Sequence, residues 1–155
     1  MLGFLKKMFF LLLIGIIIYL SFTRLYVFEV KGSSMSPTIK NNSFVLIVKW
    51  NRLIKRKSVI VFFDPKSTKN KKMIKRVYGI GGDYLIIKKN GYEIKIKPTK
   101  KDKSYLKIPK NSYYVVGDNF SFSRDSREGW FVTKDLIVGR ALFVFYPIKS
   151  FKFLL

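Results

Sequence analysis

Two serines, Ser33 and Ser34, stand directly before a Met-x-Pro-Thr sequence in the stretch KGSSMSPTIK, residues 31–40. A serine hydroxyl is a weak nucleophile until a neighbouring base removes its proton. The chain contains no histidine and no cysteine, which excludes imidazole bases, thiolate nucleophiles and the commonest zinc ligands. If one of these serines does chemistry, its base is a carboxylate, a tyrosinate or a lysine held neutral by its surroundings.

Lysine is the strongest of these candidates, because burial and neighbouring positive charge both lower the pKa of an amine. Lys75 lies in the stretch MIKRVYG, residues 73–79. In a strand its side chain shares a face with those of Met73 and Val77, so two apolar side chains flank the amine. This environment favours Lys75 as the base.

Each candidate residue also has a purely structural explanation. Ser33 and Ser34 are ordinary turn residues before a proline. In the stretch SRDSR, residues 123–127, Ser123 can be explained as a loop cap, and Asp125 with Arg127 as a surface ion pair of little energetic value. Taken singly, these residues leave both interpretations open.

Three segments of the chain together resemble the conserved boxes of type I signal peptidases, the serine/lysine endopeptidases that remove signal peptides from exported preproteins. The segments are VKGSSMSPT, residues 30–38, IKRVYGIGGD, residues 74–83, and GDNFSFSRDSREGWF, residues 117–131. They occur in the order of the family, and GRALFVFYP, residues 139–147, resembles its last strand.

The resemblance implies a role for each matching residue. It makes Ser34 the nucleophile, Lys75 its general base and Ser123 the hydroxyl that orients the lysine amine. Asp125 would pair with arginine behind the site, with Arg76 and Arg127 as its partners. The turn that supports the third segment is matched by Gly117, Asp118 and Asn119.

Substrate contacts are expected around the same serine. The Ser34 backbone N–H is a donor for the developing oxyanion, and the Gly32 region is where some family members supply a second. We expect the substrate to bind as an added strand between walls formed by the chain before Ser34 and by the last strand. The residues assigned to these walls are Val30, Lys31, Gly32, Met35, Leu142, Phe143 and Val144. No metal or other cofactor is expected.

The chain departs from the family pattern at three places. Asn41-Asn42 stands where Gly-Asp is common, and Gly81 where proline is common. Phe120-Ser121-Phe122 replaces Arg-Asp-Asn, which resembles mitochondrial inner-membrane peptidases and specialised processing peptidases. The last change concerns substrate range, so a dedicated peptidase for pilin or conjugation substrates is an alternative to a general one.

The elements that must position these residues are predicted to be strands. The chain has 155 residues, enough for one domain with a core. Runs rich in β-branched and aromatic residues predict strands, and Asn90-Gly91 predicts a hairpin turn. The runs cover residues 43–50, 58–63, 73–80, 83–89, 92–97, 113–116 and 136–147. Lysine-rich residues 66–72 and 98–107 are expected to be solvated loops. We therefore expect an all-β coiled sheet or barrel, with residues 83–110 forming a hairpin and a lysine-rich loop.

An uncharged apolar run precedes this body. It predicts a transmembrane anchor over residues 8–25, a cytoplasmic amino terminus over residues 1–7 and an extracytoplasmic catalytic domain over residues 26–155. A cleaved signal peptide shares the basic start and the apolar core, but no small-x-small cleavage site follows the run. The predicted location is the bacterial cytoplasmic membrane, crossed once with the amino terminus inside.

The net charge of +22 predicts an affinity for polyanions. With an anchor present we expect anionic membrane lipid as the partner beside the preprotein substrates, and no nucleic acid. A membrane-tethered basic β module that binds lipid or nucleic acid without catalysis is the alternative from a different class.

Overall fold

The amino-terminal element of the computed structural model is one helix, α1, at Leu2–Phe22. The structure describes residues 2–22, 24–49, 54–88, 91–95 and 105–154. The helix begins before the anchor predicted over residues 8–25 and ends earlier, because Leu25 already pairs with Val48 in a strand. Among the described residues, no helix has both the length and the apolar character that crossing a membrane requires.

The rest of the described chain is β-structure with short 3-10 turns, which confirms the predicted β class of the body. The strands are β1 Leu25–Val30, β2 Ser43–Val48, β3 Val59–Phe63, β4 Lys72–Ile80, β5 Tyr84–Lys88, β6 Gly91–Lys95, β7 Tyr105–Lys107, β8 Ser112–Val116, β9 Val132–Thr133, β10 Ile137–Tyr146 and β11 Lys152–Phe153. The 3-10 turns are Phe120–Phe122, Ser126–Glu128, Lys134–Leu136 and Ile148–Ser150.

Eight strands form one antiparallel sheet in the order β1-β2-β10-β3-β4-β8-β9, with β11 paired to β10. The ladder of β10 with β2 shifts register twice, and such bulges bend a sheet. The sheet coils so far that β1 and β4 approach each other although three strands separate them. Lys72 Nζ donates a hydrogen bond to Tyr26 Oη across this gap, at 3.4 Å.

The core lies on both faces of β3, which is why this strand is a continuous apolar run. Val59 and Val61 pack into one buried cluster with residues of β2 and β10. Ile60 and Phe62 point the other way, into a cluster with Trp130. Burial on both faces fixes β3 and positions its neighbour β4, which carries Lys75.

A second sheet has three strands in the order β6-β5-β7. Gly91 pairs with Lys88, so it belongs to β6 and not to the predicted Asn90-Gly91 turn. Residues 89 and 90 lie outside the described residues, as do residue 50 and residues 96–104 of the predicted strands and loop. The loop prediction was wrong for Tyr105–Lys107, which pair with β5.

Candidate active site

Ser34 lies in the turn that connects β1 to β2. The side chains of Met35 and Ile39 are buried in the core and fix this turn. Hydrogen bonds from Ser36 N to Ser33 O, at 3.0 Å, and from Ile39 N to Met35 O, at 2.8 Å, close it. Ser34 is therefore held at the end of β1 with its side chain partly buried.

Lys75 on β4 faces this serine. Its Nζ donates a hydrogen bond to Ser34 Oγ at 2.7 Å and another to Ile74 O at 3.1 Å. The residue is 3% exposed. Burial lowers the pKa of Lys75 from its ordinary value of 10.5 to about 8, although Asp125 and Asp118 act in the opposite direction. At mildly alkaline pH an appreciable fraction of this amine is neutral and accepts a proton.

The segment after β8 holds the backbone of the serine turn. Asn119 N donates to Ser34 O at 3.0 Å, and Asn119 Nδ2 donates to Ser33 O at 3.2 Å. A Cβ on Gly117 would lie 2.5 Å from Ser34 O and 2.1 Å from Ser123 Oγ. Only glycine allows these segments to approach so closely. The sequence indicated a supporting turn at residues 117–119, but not its contact with the serine turn.

Ser123 and Arg127 both bind the buried carboxylate of Asp125. Ser123 Oγ donates to Asp125 Oδ2 at 2.6 Å, and Gly117 N donates to the same oxygen at 3.0 Å. Arg127 binds both oxygens, with Nε–Oδ1 at 2.8 Å and Nη2–Oδ2 at 3.0 Å. Burial alone would raise the pKa of Asp125, but these hydrogen bonds hold it below its ordinary value.

Two predicted pairings differ in the structure. Among the described residues, Lys75 makes its side-chain hydrogen bonds to Ser34 and Ile74, not to Ser123. Arg76 binds Asp118 and not Asp125, with Nε–Oδ1 at 2.8 Å and Nη2–Oδ2 at 2.7 Å. Successive residues of a strand point to opposite faces, so Arg76 points away from the face on which Lys75 lies.

The two expected oxyanion donors differ in availability. Gly32, with φ of 99°, donates its N–H to Asn41 Oδ1 at 2.7 Å, so this group is engaged. Within the described chain, the Ser34 N–H takes part in none of the hydrogen bonds. The Ser34 N–H remains available to a ligand beside its own hydroxyl.

A groove of about 680 Å³ opens in front of Ser34 and Lys75, between β1 and β4. In the described chain β1 pairs with β2 only. Lys72–Lys75 pair with β3 only, because the ladder with β8 begins at Arg76. Two unpaired backbone edges therefore flank the groove.

The predicted walls agree with this groove only in part. Lys31 and Gly32 line it, whereas Val30, Met35 and Val144 are buried in the core. Leu142 and Phe143 do not line it either, because β10 lies in the middle of the sheet between β2 and β3. The lining also includes residues that were not among the predicted walls: Phe28, Glu29, Lys71, Lys72, Met73, Ile74, Phe122 and Arg124.

Within the described ranges, no three acidic side chains lie close enough together to hold a metal ion. The chemistry that the arrangement offers is proton transfer between a buried amine and a serine hydroxyl. A groove flanked by two unpaired backbone edges adjoins that pair.

Comparison with known proteins gives a consistent result. The family described as "Signal peptidase, peptidase S26" matches residues 1–107 and 87–146. Signal peptidase I U of Bacillus subtilis (strain 168) is 32% identical over 149 residues, which cover 81% of this chain and 78% of that protein. Signal peptidase IB of Staphylococcus aureus (strain MRSA252) is 31% identical over 157 residues, covering 81% of this chain and 80% of that protein. A crystal structure of a signal peptidase I from Enterococcus faecalis V583 aligns with a TM-score of 0.45 and 22% identity, over 57% of this chain and 97% of that one.

Proposed function

The chain belongs to the signal peptidase family, peptidase S26, and from this premise we propose that Ser34 and Lys75 remove amino-terminal signal peptides from preproteins. As a member of this family, the chain is a serine endopeptidase and therefore a hydrolase. The observation that carries the proposed roles is the 2.7 Å hydrogen bond between Lys75 Nζ and Ser34 Oγ, made by an amine that is 3% exposed.

The first half of the reaction forms an acyl-enzyme. Neutral Lys75 takes the proton of Ser34 Oγ while this oxygen attacks the carbonyl carbon of the scissile peptide bond. The Ser34 N–H stabilises the oxyanion, where one donor typically contributes about 3 kcal/mol. The C–N bond then breaks, Lys75 returns the proton to the leaving amine, and the mature protein departs. A water molecule, deprotonated by Lys75, hydrolyses the ester and restores Ser34.

The residues behind this pair keep it in place. Asn119 fixes the carbonyl of Ser34, and the Asp125 carboxylate ties Ser123 and Arg127 to the backbone of Gly117. Asp125 also favours the charged form of Lys75. We assign these residues to positioning. The expected action of Ser123 on the lysine amine remains a prediction.

The substrate would enter the groove as an extra strand. Two unpaired edges, one from β1 and one from Lys72–Lys75, can form backbone hydrogen bonds with an extended peptide on both of its sides. The small residues expected at the first and third positions before the cleaved bond are implied by the family. Phe122, from the segment that departs from the family pattern, is 73% exposed on the wall of the groove, so it can contact a substrate there. A dedicated peptidase for pilin or conjugation substrates is the alternative to a general one.

We also propose that the predicted anchor and topology hold, with the enzyme in a bacterial cytoplasmic membrane. Residues 8–22 of the uncharged stretch lie within α1. Those of its side chains that the structure describes are exposed, Phe9 and Leu11 at 67% each. Exposed apolar surface of this extent needs an apolar partner, and lipid supplies one. Tethering to the membrane would also raise the concentration of the enzyme near membrane-bound preproteins.

The test is cleavage of a model preprotein by the full chain in detergent. Ser34→Ala and Lys75→Ala should each lose at least ~1000-fold in kcat/KM, because each removes a member of the reacting pair. Ser121→Ala and Lys69→Ala are matched controls from exposed positions outside the groove, and both should cleave like the wild type. Full activity of Ser34→Ala would contradict the proposal.

A further inference from the structure

Besides Lys75, several lysine and arginine side chains line the groove, and only some of them form an ion pair with a carboxylate. Arg124 forms an ion pair with the buried carboxylate of Asp64. Lys31 lies 3.4 Å from the carboxylate of Glu29. In the described part of the chain, Lys71 and Lys72 form no ion pair, although both line the groove. Positive charge is therefore uncompensated at one place, the beginning of β4.

The side chain of Lys72 is held at this place by aromatic rings. Its Nζ lies 5.0 Å from the centre of the Tyr26 ring and 5.7 Å from that of Phe63. It also donates to Tyr26 Oη at 3.4 Å. Tyr26 belongs to β1, so the Lys72 side chain connects β4 with β1 beside the groove. A cation held over aromatic rings is partly desolvated but still carries its full charge.

The distance from the reacting pair fixes which part of a substrate meets these lysines. Lys72 precedes Lys75 by three residues on β4, which is about 10 Å at the rise of a strand. In a peptide paired with this edge, the residue beside Lys72 would therefore be three to four positions away from the cleaved bond. The lysines therefore face a defined substrate position and not the cleaved bond itself.

We propose that Lys71 and Lys72 are specificity-determining residues that select substrates with an acidic side chain three to four residues from the cleaved bond and reject a basic one there. The inference rests on the proposed function. Both lysines lie at the rim of the groove, where an ion pair contributes modestly and is screened by salt. These lysines are therefore expected to change the relative rates at which different substrates are cleaved, and not the chemical step itself.

The experiment uses the full chain in detergent and fluorogenic peptides with alanine at the first and third positions before the cleaved bond. The fourth residue before the bond is Gln, Glu or Lys in one series, and the fourth residue after it in a second series, since a strand can run either way along β4. The measured quantity is the ratio of kcat/KM for the Glu peptide to that for the Lys peptide. Both peptides meet the same enzyme, so a change in the protonation of Lys75 cancels.

We expect one series to favour Glu over Lys by about tenfold at low salt, with a smaller ratio at 0.5 M salt as screening requires (roughly a 4 Å Debye length). The double variant K71Q/K72Q should lower this ratio about fivefold, and K71R/K72R should keep it, because arginine retains the charge. K66Q/K69Q removes the same charge from exposed positions of the neighbouring loop outside the groove, and should leave the ratio unchanged.

The outcomes separate the two claims. Cleavage of the Gln peptides with equal rates for Glu and Lys in both series would overturn this inference alone. An equal fall of the ratio in K66Q/K69Q would also overturn it, because net charge and not the groove would then be responsible. No cleavage of any peptide or model preprotein would overturn the proposed function and this inference with it.

Discussion

The contacts of Ser34 with its neighbours show how one glycine and one asparagine support the proposed reacting pair. Residue type and spacing singled out Lys75 as a candidate base but left Ser33 and Ser34 open, and the resemblance to the signal peptidase boxes was needed to select Ser34. Asn119 was not selected as a contact of Ser34, because 85 positions separate the two residues and no local pattern records such a contact. For the same reason the sequence assigned Arg76 to Asp125, whereas the structure pairs it with Asp118. Residue chemistry was predictable, but partners from distant segments were not.

Substitution of Gly117 by alanine should disturb the site without removing a reacting group. The added methyl would lie 2.1 Å from Ser123 Oγ and 2.5 Å from Ser34 O, so one of these segments must move. We expect a loss of about 1–3 kcal/mol of stability, as for other overpacked sites, and a fall of at least ~100-fold in kcat/KM, the effect of misplacing a catalytic group by about 1 Å.

Thermal unfolding and cleavage of a model preprotein measure the two effects of Gly117→Ala. Gly15→Ala on α1 is the control, since its Cβ would meet nothing within 4 Å. Wild-type kcat/KM in Gly117→Ala would contradict the assigned close approach.

The groove between β1 and β4 is the element on which the proposed substrate binding depends. The sequence predicted most strands from their apolar runs. Four of the described strands were not predicted: β1, because LYVF continues the apolar composition of the preceding helix, β7, because lysines surround it, and β9 and β11, because two residues are too few to show a strand pattern. The sequence analysis also assigned one wall of the substrate groove to β10, whose residues do not line it. The order of strands in a sheet depends on pairings between distant segments, and the sequence pattern did not specify that β10 lies centrally.

Two unpaired edges predict that an extended substrate forms hydrogen bonds on both sides. Successive residues of a strand direct their N–H groups to opposite edges. Methylation of the backbone nitrogen of either of two successive substrate residues within the groove should therefore raise KM, by about fivefold for each lost hydrogen bond of roughly 1 kcal/mol.

Steady-state kinetics with singly N-methylated peptides measures this effect on KM. Methylation eight residues before the cleaved bond, beyond the groove, serves as the control. If only one of the two successive residues is sensitive, the substrate pairs with a single edge and the two-edge account is wrong.

The whole molecule combines an apolar amino-terminal helix with a strongly basic β body. A net charge of +22 and the apolar run were both readable from the sequence, since composition and hydropathy need no tertiary information. The bounds of α1 were not, because a helix extends beyond an apolar run where neighbouring residues favour it and ends before the chain pairs in a strand, as Leu25 does with Val48. The proposed anchor would contribute apolar burial to membrane binding and the body would contribute charge.

These two contributions respond differently to salt. The full chain should bind vesicles of zwitterionic lipid through α1 and should bind more tightly when anionic lipid is added, because the lysines attract the headgroups. The additional affinity should disappear in 1 M salt, where the Debye length is about 3 Å, while the binding to zwitterionic lipid should persist.

Co-sedimentation with vesicles across a salt series measures both contributions. Complete release of the full chain from all vesicles at high salt would contradict the anchor. Equal binding to zwitterionic and anionic vesicles at low salt would contradict the contribution of the basic body.

The central claim is that Lys75 is the base for Ser34, and the pH dependence of kcat/KM for the full chain in detergent tests it most directly. The substrate is a peptide without titratable groups near the cleaved bond, so that the profile reports the free enzyme. Because the pKa of Lys75 is lowered to about 8 by burial, kcat/KM should rise tenfold per pH unit below that value and level off above it. A rate that is independent of pH between 6 and 9, or one that continues to rise towards the ordinary pKa of lysine, 10.5, would contradict the assignment of a buried Lys75 as the base.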